Sequence, residues 1–260
     1  MNSRVWKVPA GLCVLALASA AALPGVARAA DVTEKPPLYT YVSNWAIPRA
    51  RWADMEKAGA ADNKILDKHL AAGSIVAYGD DVTLVHEADG GTHDSWWQAM
   101  SMAALFNVLD EFYKSGTPTS PVLGSATKHW DSVWVSRYYN WHSGARHGAY
   151  THVGSYKLKA DAPDDAVDML SKTVVVPMLE KLLADGALVE YEVDEQAIHT
   201  EAPGTFLILY IAPDSSGLDK VDAALRETLK ANPLAGPAFG SVVDFTAHRD
   251  ELSRTNVTYK

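Results

Sequence analysis

The chain has 260 residues, with 23 Lys and Arg against 32 Asp and Glu, a formal charge of −9, and 48% hydrophobic residues. A negative balance with no basic run argues against nucleic acid and against an anionic membrane surface as partner, because phosphate binding needs clustered Lys and Arg to displace counterions. The single cysteine, Cys13, lies near the N-terminus, so the chain beyond it has no disulfide and no thiol chemistry and depends on an ordinary core.

In chain order, Arg4 and Lys7 precede an apolar run over residues 11–23, followed by Pro24, Gly25 and Ala27-Arg28-Ala29. This is the pattern of a cleaved signal peptide over residues 1–29; a spanning helix needs roughly twenty apolar residues, more than the run offers. Cleavage near Ala29 or Ala30 removes three basic residues and no acidic one, leaving 20 against 32, or −12. The expected location is the periplasm or the medium, with no membrane association once the signal is removed. Residues 30–37 are short, polar and Pro-bearing, as in a flexible leader.

Residues 65–92 align on residues 178–205 at a constant offset of 113 positions without a gap. The identities include Leu66/Leu179, Lys68/Lys181, Leu70/Leu183, Gly73/Gly186, Tyr78/Tyr191, Asp81/Asp194, His86/His199 and Gly91/Gly204. An internal repeat therefore organises the chain, with a first unit over residues 38–143 and a second over residues 149–260.

In the first unit, residues 38–46 are rich in Tyr, Val and Trp, a strand signal. Trp52, Met55, Leu66 and Leu70 give the next segment an apolar helical side that Gly73 ends. Residues 74–86 and 92–99 predict a hairpin turning tightly at Gly90-Gly91. Met102, Leu105, Leu109 and Phe112 recur at helical spacing, and residues 130–142 close the unit as a fourth strand. The second unit repeats the order: strand 150–159, helix 163–185, hairpin strands 187–199 and 205–212, helix 218–229 and a last strand at 241–248. Pro177 should kink or break the first of those helices.

The order β-α-β-β-α-β is that of the ferredoxin-like unit. One such unit covers a single face of its sheet with helices, and a second unit on the same chain is the simplest cover for the other. The pattern resembles the dimeric α/β-barrel superfamily, in which two ferredoxin-like units place their sheets face to face around a cavity. The expected fold class is thus α+β, two tandem ferredoxin-like units forming an intrachain pseudo-dimeric α/β barrel, as a monomer or homodimer. The resemblance implies no single activity: cofactor-free monooxygenases, haem enzymes, isomerases and stress-response proteins share the fold. The cofactor stays unknown, haem and flavin included.

His86 and His199 occupy equivalent places in the two units. With a two-residue turn at Gly90-Gly91, His86 and His93 become diagonal neighbours on one face, a proton-transfer pair near neutral pH with Asp94 as orienting partner. A solvated hairpin edge is the plain alternative. His93 and Asp94 stand where the second unit has Phe206 and Leu207, so these polar groups occur in one unit only. By alternation, Trp130, Trp134, Tyr138 and His142 share one face of the fourth strand, and Tyr150, His152 and Tyr156 one face of the fifth. On the face that helices leave bare they would line a cavity for a small apolar or aromatic molecule. Trp134, Tyr138, His142, Tyr156 and His199 are its candidate contacts, although core packing accounts for them equally well. Arg137, Arg146 and Arg249 are expected on solvated surface. His142, His147 and His152 lack metal-ligand spacing, so no metal is expected.

These expectations converge on an exported small-molecule-binding barrel that, as an enzyme, would use histidine acid-base chemistry or a bound cofactor. The reading from another class is a non-catalytic structural or stress-related assembly protein with a packed interior. A void between the sheets separates the two.

Overall fold

In the computed structural model, which describes residues 32–260, strands and helices follow one another in two similar series. The first is β1 (Leu38–Ala46), α1 (Trp52–Ala72), β2 (Ala77–Val85), β3 (His93–Ala99), α2 (Met102–Ser115) and β4 (Lys128–Trp141). The second is β5 (Gly144–Lys157), α3 (Ala166–Leu170), α4 (Val176–Ala184), β6 (Glu190–Ile198), β7 (Thr205–Ala212), α5 (Ser215–Ala231), α6 (Ala235–Val242) and β8 (Arg249–Tyr259). The signal-peptide reading lies outside the described residues. No helix among the described residues is long and apolar enough to cross a membrane.

Local chemistry sets several of these boundaries. α1 stops where Gly73 takes φ 75°, and the aligned Gly186 takes φ 69° just after α4, a left-handed backbone that costs glycine little. α2 begins on Ser101, whose hydroxyl accepts the Ala104 N–H at 3.2 Å. The expected break at Pro177 is present: a π turn over Ser171–Val175 separates α3 from α4, with the proline in the first turn of α4. Proline has no N–H to give the preceding turn, and the Ser171 and Thr173 hydroxyls donate to the Val167 and Met169 carbonyls at 2.7 and 2.6 Å.

All eight strands hydrogen-bond into one closed barrel in the order β1-β3-β2-β8-β5-β7-β6-β4. The two series are joined through their edges: β2 pairs with β8, setting Ala77 opposite Tyr259, and β4 pairs with β6, setting Trp141 opposite Glu190. Closure leaves no free strand edge. Helices cover the outside. α1 and α2 bury Leu66, Leu105, Val108 and Phe112 against Tyr41, Trp97 and Val133, and Trp97 stacks on Tyr41 at 4.5 Å. The helices of the second series bury Leu170, Leu179, Leu183 and Val221 against Tyr138, Tyr191, Val193 and Phe206. The Tyr78 hydroxyl donates to Asp67 at 2.5 Å and that of Tyr191 to Glu180 at 2.6 Å. Donor and acceptor are each displaced by the same 113 positions.

Three local expectations fail. The β2–β3 connection is not a two-residue turn: β2 ends at Val85, β3 starts at His93, and His93 pairs with Val82. The last strand is Arg249–Tyr259, while part of the segment at 241–248 belongs to α6 and a 3-10 turn at Phe245–Ala247. That segment carries Val242, Val243 and Phe245 and looked like a strand, whereas β8 begins with polar residues on both faces. The leader is tied down at its end, because Lys35 N–H donates to the Arg137 carbonyl at 2.8 Å and the Tyr139 hydroxyl to that of Pro36 at 2.9 Å.

Candidate functional site

Inward and outward residues alternate along each barrel strand, and here the inward set encloses a cavity of about 600 Å3. Its walls differ. β7 contributes Leu207, Leu209 and Ile211, joined by Val153 of β5. β3, diametrically across in the strand order, contributes Asp94, Trp96 and Gln98. Further carboxyl groups come from Asp81 on β2, Glu190, Glu192 and Asp194 on β6, and Glu251 on β8. Trp141 and Tyr259, stacked at 6.3 Å, close the floor with Ala77, Val189 and Val257. Gly90 and Gly91 from one hairpin loop and Thr200 and Glu201 from the other stand at the mouth, with Lys128 and Arg249.

Register and hydrogen bonds group four of the carboxyl groups into two pairs. Asp81 and Asp94 are direct partners in the β2–β3 register, and Asp81 accepts from the Trp96 indole at 3.1 Å and the Thr151 hydroxyl at 3.3 Å. Gln98 donates through Nε2 to Glu190 at 3.1 Å and to Glu192. Glu192 also accepts from Thr40 at 3.4 Å, and Glu190 from Tyr259. Burial disfavours the ionised forms. It pushes Asp81 up to about 6 and Asp194 up to about 7. Glu251 is pushed up to about 7, by burial first and then by the charge of Asp81. Asp94, Glu190 and Glu192 are also raised, mainly by burial, and the neighbouring carboxylates add to the effect at Asp94 and Glu192. Burial thus keeps the interior carboxyl groups protonated to higher pH than in water.

Of the residues expected to carry chemistry, Asp94 and Trp134 face this cavity. Trp134 is held by an indole N–H bond to Ser132 at 2.9 Å. His93 points the other way, its ring 5.1 Å from that of Trp52 and its Nδ1 3.0 Å from the Thr92 hydroxyl. His86 is exposed and bonds the Glu87 carbonyl through Nδ1, so the two histidines do not share a face. His199 is exposed on the other hairpin loop. Tyr138 and His142 lie outside because β4 bulges: the step from Ser136 to Tyr138 matches the single step from Asp194 to Val193 and reverses the alternation. Tyr138 donates to Asp168 on α3, and His142 Nε2 lies 2.9 Å from the Leu183 carbonyl. Tyr150, His152 and Tyr156 do share a face, but it is the outer one. Tyr156 stacks on His248 at 4.3 Å and Phe206 at 5.4 Å, and His152 on Tyr210 at 4.7 Å. Among the described residues no group of three His, Cys, Asp or Glu side chains could hold a metal ion. His86→Phe and His199→Phe should each move the melting temperature by no more than about 2 °C and leave ligand binding in the cavity unchanged; thermal melts and titrations of the two variants check this.

Sequence reasoning missed Asp81, Glu190, Glu192, Asp194 and Glu251. The signal was present in Glu190-Tyr191-Glu192-Val193-Asp194, where carboxyl groups recur at every second residue of a strand. Asp81 and Asp194 are moreover identical across the repeat. A rule that places apolar side chains inside assigns such a strand face to solvent.

No protein-family model matches the sequence, and no curated protein matches it in sequence. Solved structures do resemble it. A monooxygenase-like protein of Lactobacillus acidophilus aligns with a TM-score of 0.59 at 10% identity, over 86% of this chain and 97% of that one. A second, from Fusobacterium nucleatum, gives 0.55 at 7% identity over 87% and 95%. An anthrone oxidase-like protein gives 0.51 at 13% identity over 87% and 94%. At these identities the likeness is one of fold alone, an α/β barrel of the kind the sequence pattern resembles.

Proposed function

We propose that this chain is an exported small-molecule-binding protein whose site is the barrel interior, in a barrel made from two copies of one ferredoxin-like unit. The observation that carries the site is the cavity of about 600 Å3 between an apolar wall and walls bearing carboxyl groups. A structural protein with a packed interior would have no such volume, since close-packed cores leave few voids larger than a water molecule. Two features support duplication: the Tyr78–Asp67 and Tyr191–Glu180 pairs at one offset, and the positive φ at both Gly73 and Gly186. Export is supported by the pattern over residues 1–29. The chemistry such a wall supplies is proton transfer by carboxyl groups, with Asp94, Asp81 and Asp194 as donors or acceptors to a guest. Trp134 serves as an aromatic contact.

Titration calorimetry with a size-matched series tests the reading: neutral 3-ethylindole, anionic indole-3-propionate and cationic tryptamine. At least one should bind with one-to-one stoichiometry. Leu209→Trp, which fills the cavity from its apolar wall, should weaken that binding at least tenfold with a melting temperature within a few degrees of the parent. If no member of the series binds, the reading is wrong.

A further inference from the structure

We infer that the guest of this cavity is a small organic cation, a protonated amine carried on an apolar or aromatic body. The inference rests on the reading of the cavity as a binding site and specifies its ligand class. Asp81, Asp94, Glu190, Glu192, Asp194 and Glu251 are six of the carboxyl groups that line the cavity. Its cationic lining residues, Lys128 and Arg249, are both engaged at the rim. Lys128 donates to the Asp89 carbonyl at 3.0 Å, and Arg249 is paired with Glu87 at 3.0 Å. Among the described residues the deeper carboxyl groups therefore have no Lys or Arg as partner.

One acceptor points specifically to a missing donor. Gln98 lines the cavity and is only 2% exposed, and among the described residues its Oε1 has no hydrogen-bond partner. The Gln98 amide cannot correct this internally, because its N–H groups are already given to Glu190 and Glu192. Buried acceptors left unpaired are costly, and an ammonium group offers three donors and the charge these walls lack. A bound cation favours the ionised form of a buried carboxyl group, whereas an anion opposes it. A bare metal ion finds no set of three ligands among the described residues. The rim already shows the preferred contact in miniature: the Lys128 ammonium lies 4.9 Å from the centre of the Trp130 ring. The β7 wall of Leu207, Leu209 and Ile211, facing β3 across the barrel, supplies a surface for the apolar body of the same ligand.

The series of three indoles decides the matter. Tryptamine should bind at least tenfold more tightly than 3-ethylindole, and indole-3-propionate should not bind detectably. Asp194→Asn and Glu192→Gln, which keep the shape of each side chain, should each weaken tryptamine at least tenfold and leave 3-ethylindole unchanged. A thermal melt of each variant establishes that it is folded, and Gln98→Glu, which adds a carboxylate at the same place, should strengthen tryptamine binding. If 3-ethylindole binds as tightly as tryptamine, or indole-3-propionate binds best, the cavity remains a ligand site and the cation inference is overturned. If none of the three binds, both fall together.

Discussion

The protein should melt at a higher temperature near pH 4.5 than at pH 8, by roughly 10 °C. The cause is the buried acids. In an unfolded chain Asp and Glu titrate near 4, whereas in the barrel burial pushes Asp81 up to about 6, Asp194 up to about 7 and Glu251 up to about 7. Between those values the folded state holds more protons than the unfolded one. Stability is therefore present in full below about pH 4 and is lost as pH rises through 6 to 7. One pKa unit corresponds to about 1.4 kcal/mol, so the coupled wall sets a scale of a few kcal/mol, and each kcal/mol moves the melting point of a domain this size by about 2–4 °C. Asp168, Asp214, Asp244 and Glu111 shift the other way, but they are all at least partly exposed and act only at lower pH. Asp194→Asn should flatten the curve by raising the melting temperature at pH 8 and leaving it unchanged near pH 4.5. A differential scanning profile that rises steadily from pH 5 to pH 8 would contradict the protonated interior.

Expressed alone, residues 31–143 should give a dimer or an insoluble product rather than a folded monomer. Truncation strips β2 of its partner β8 and β4 of its partner β6, exposing two rows of backbone donors and acceptors at once. It also opens the floor, where Ala77 and Trp96 pack against Val189, Ile211, Val257 and Tyr259 of the second series. A dimer of this fragment would rebuild both ladders by using a second copy in place of residues 144–260. Size-exclusion chromatography with light scattering, together with near-ultraviolet circular dichroism, distinguishes the cases. A soluble monomer with native-like aromatic signals would refute the view that the two halves close each other.

The sequence by itself determined the order of elements and their main punctuation. Gly73 and Gly186 end helices because only a residue without Cβ takes a positive φ cheaply, Pro177 breaks a helix because it lacks an N–H, and the repeat carries the Tyr78 and Tyr191 bonds with it. Alternation also placed Tyr150, His152 and Tyr156 of β5 on one face correctly, but it failed on β4, where it grouped Trp134 with Tyr138 and His142. What it did not contain is which set faces inward. That depends on barrel closure and on the bulge between Ser136 and Tyr138, which leaves Trp134 inside and turns Tyr138 and His142 out. The same holds for β8 and for the acidic wall. Glu251 or Glu192 in an isolated strand has the pattern of a solvated face, because burying a carboxyl group is unfavourable on local grounds. Only the closed barrel, with a cavity between β3 and β7 and partners such as Thr40, Gln98 and Tyr259 brought in from distant strands, makes the polar face the inner one.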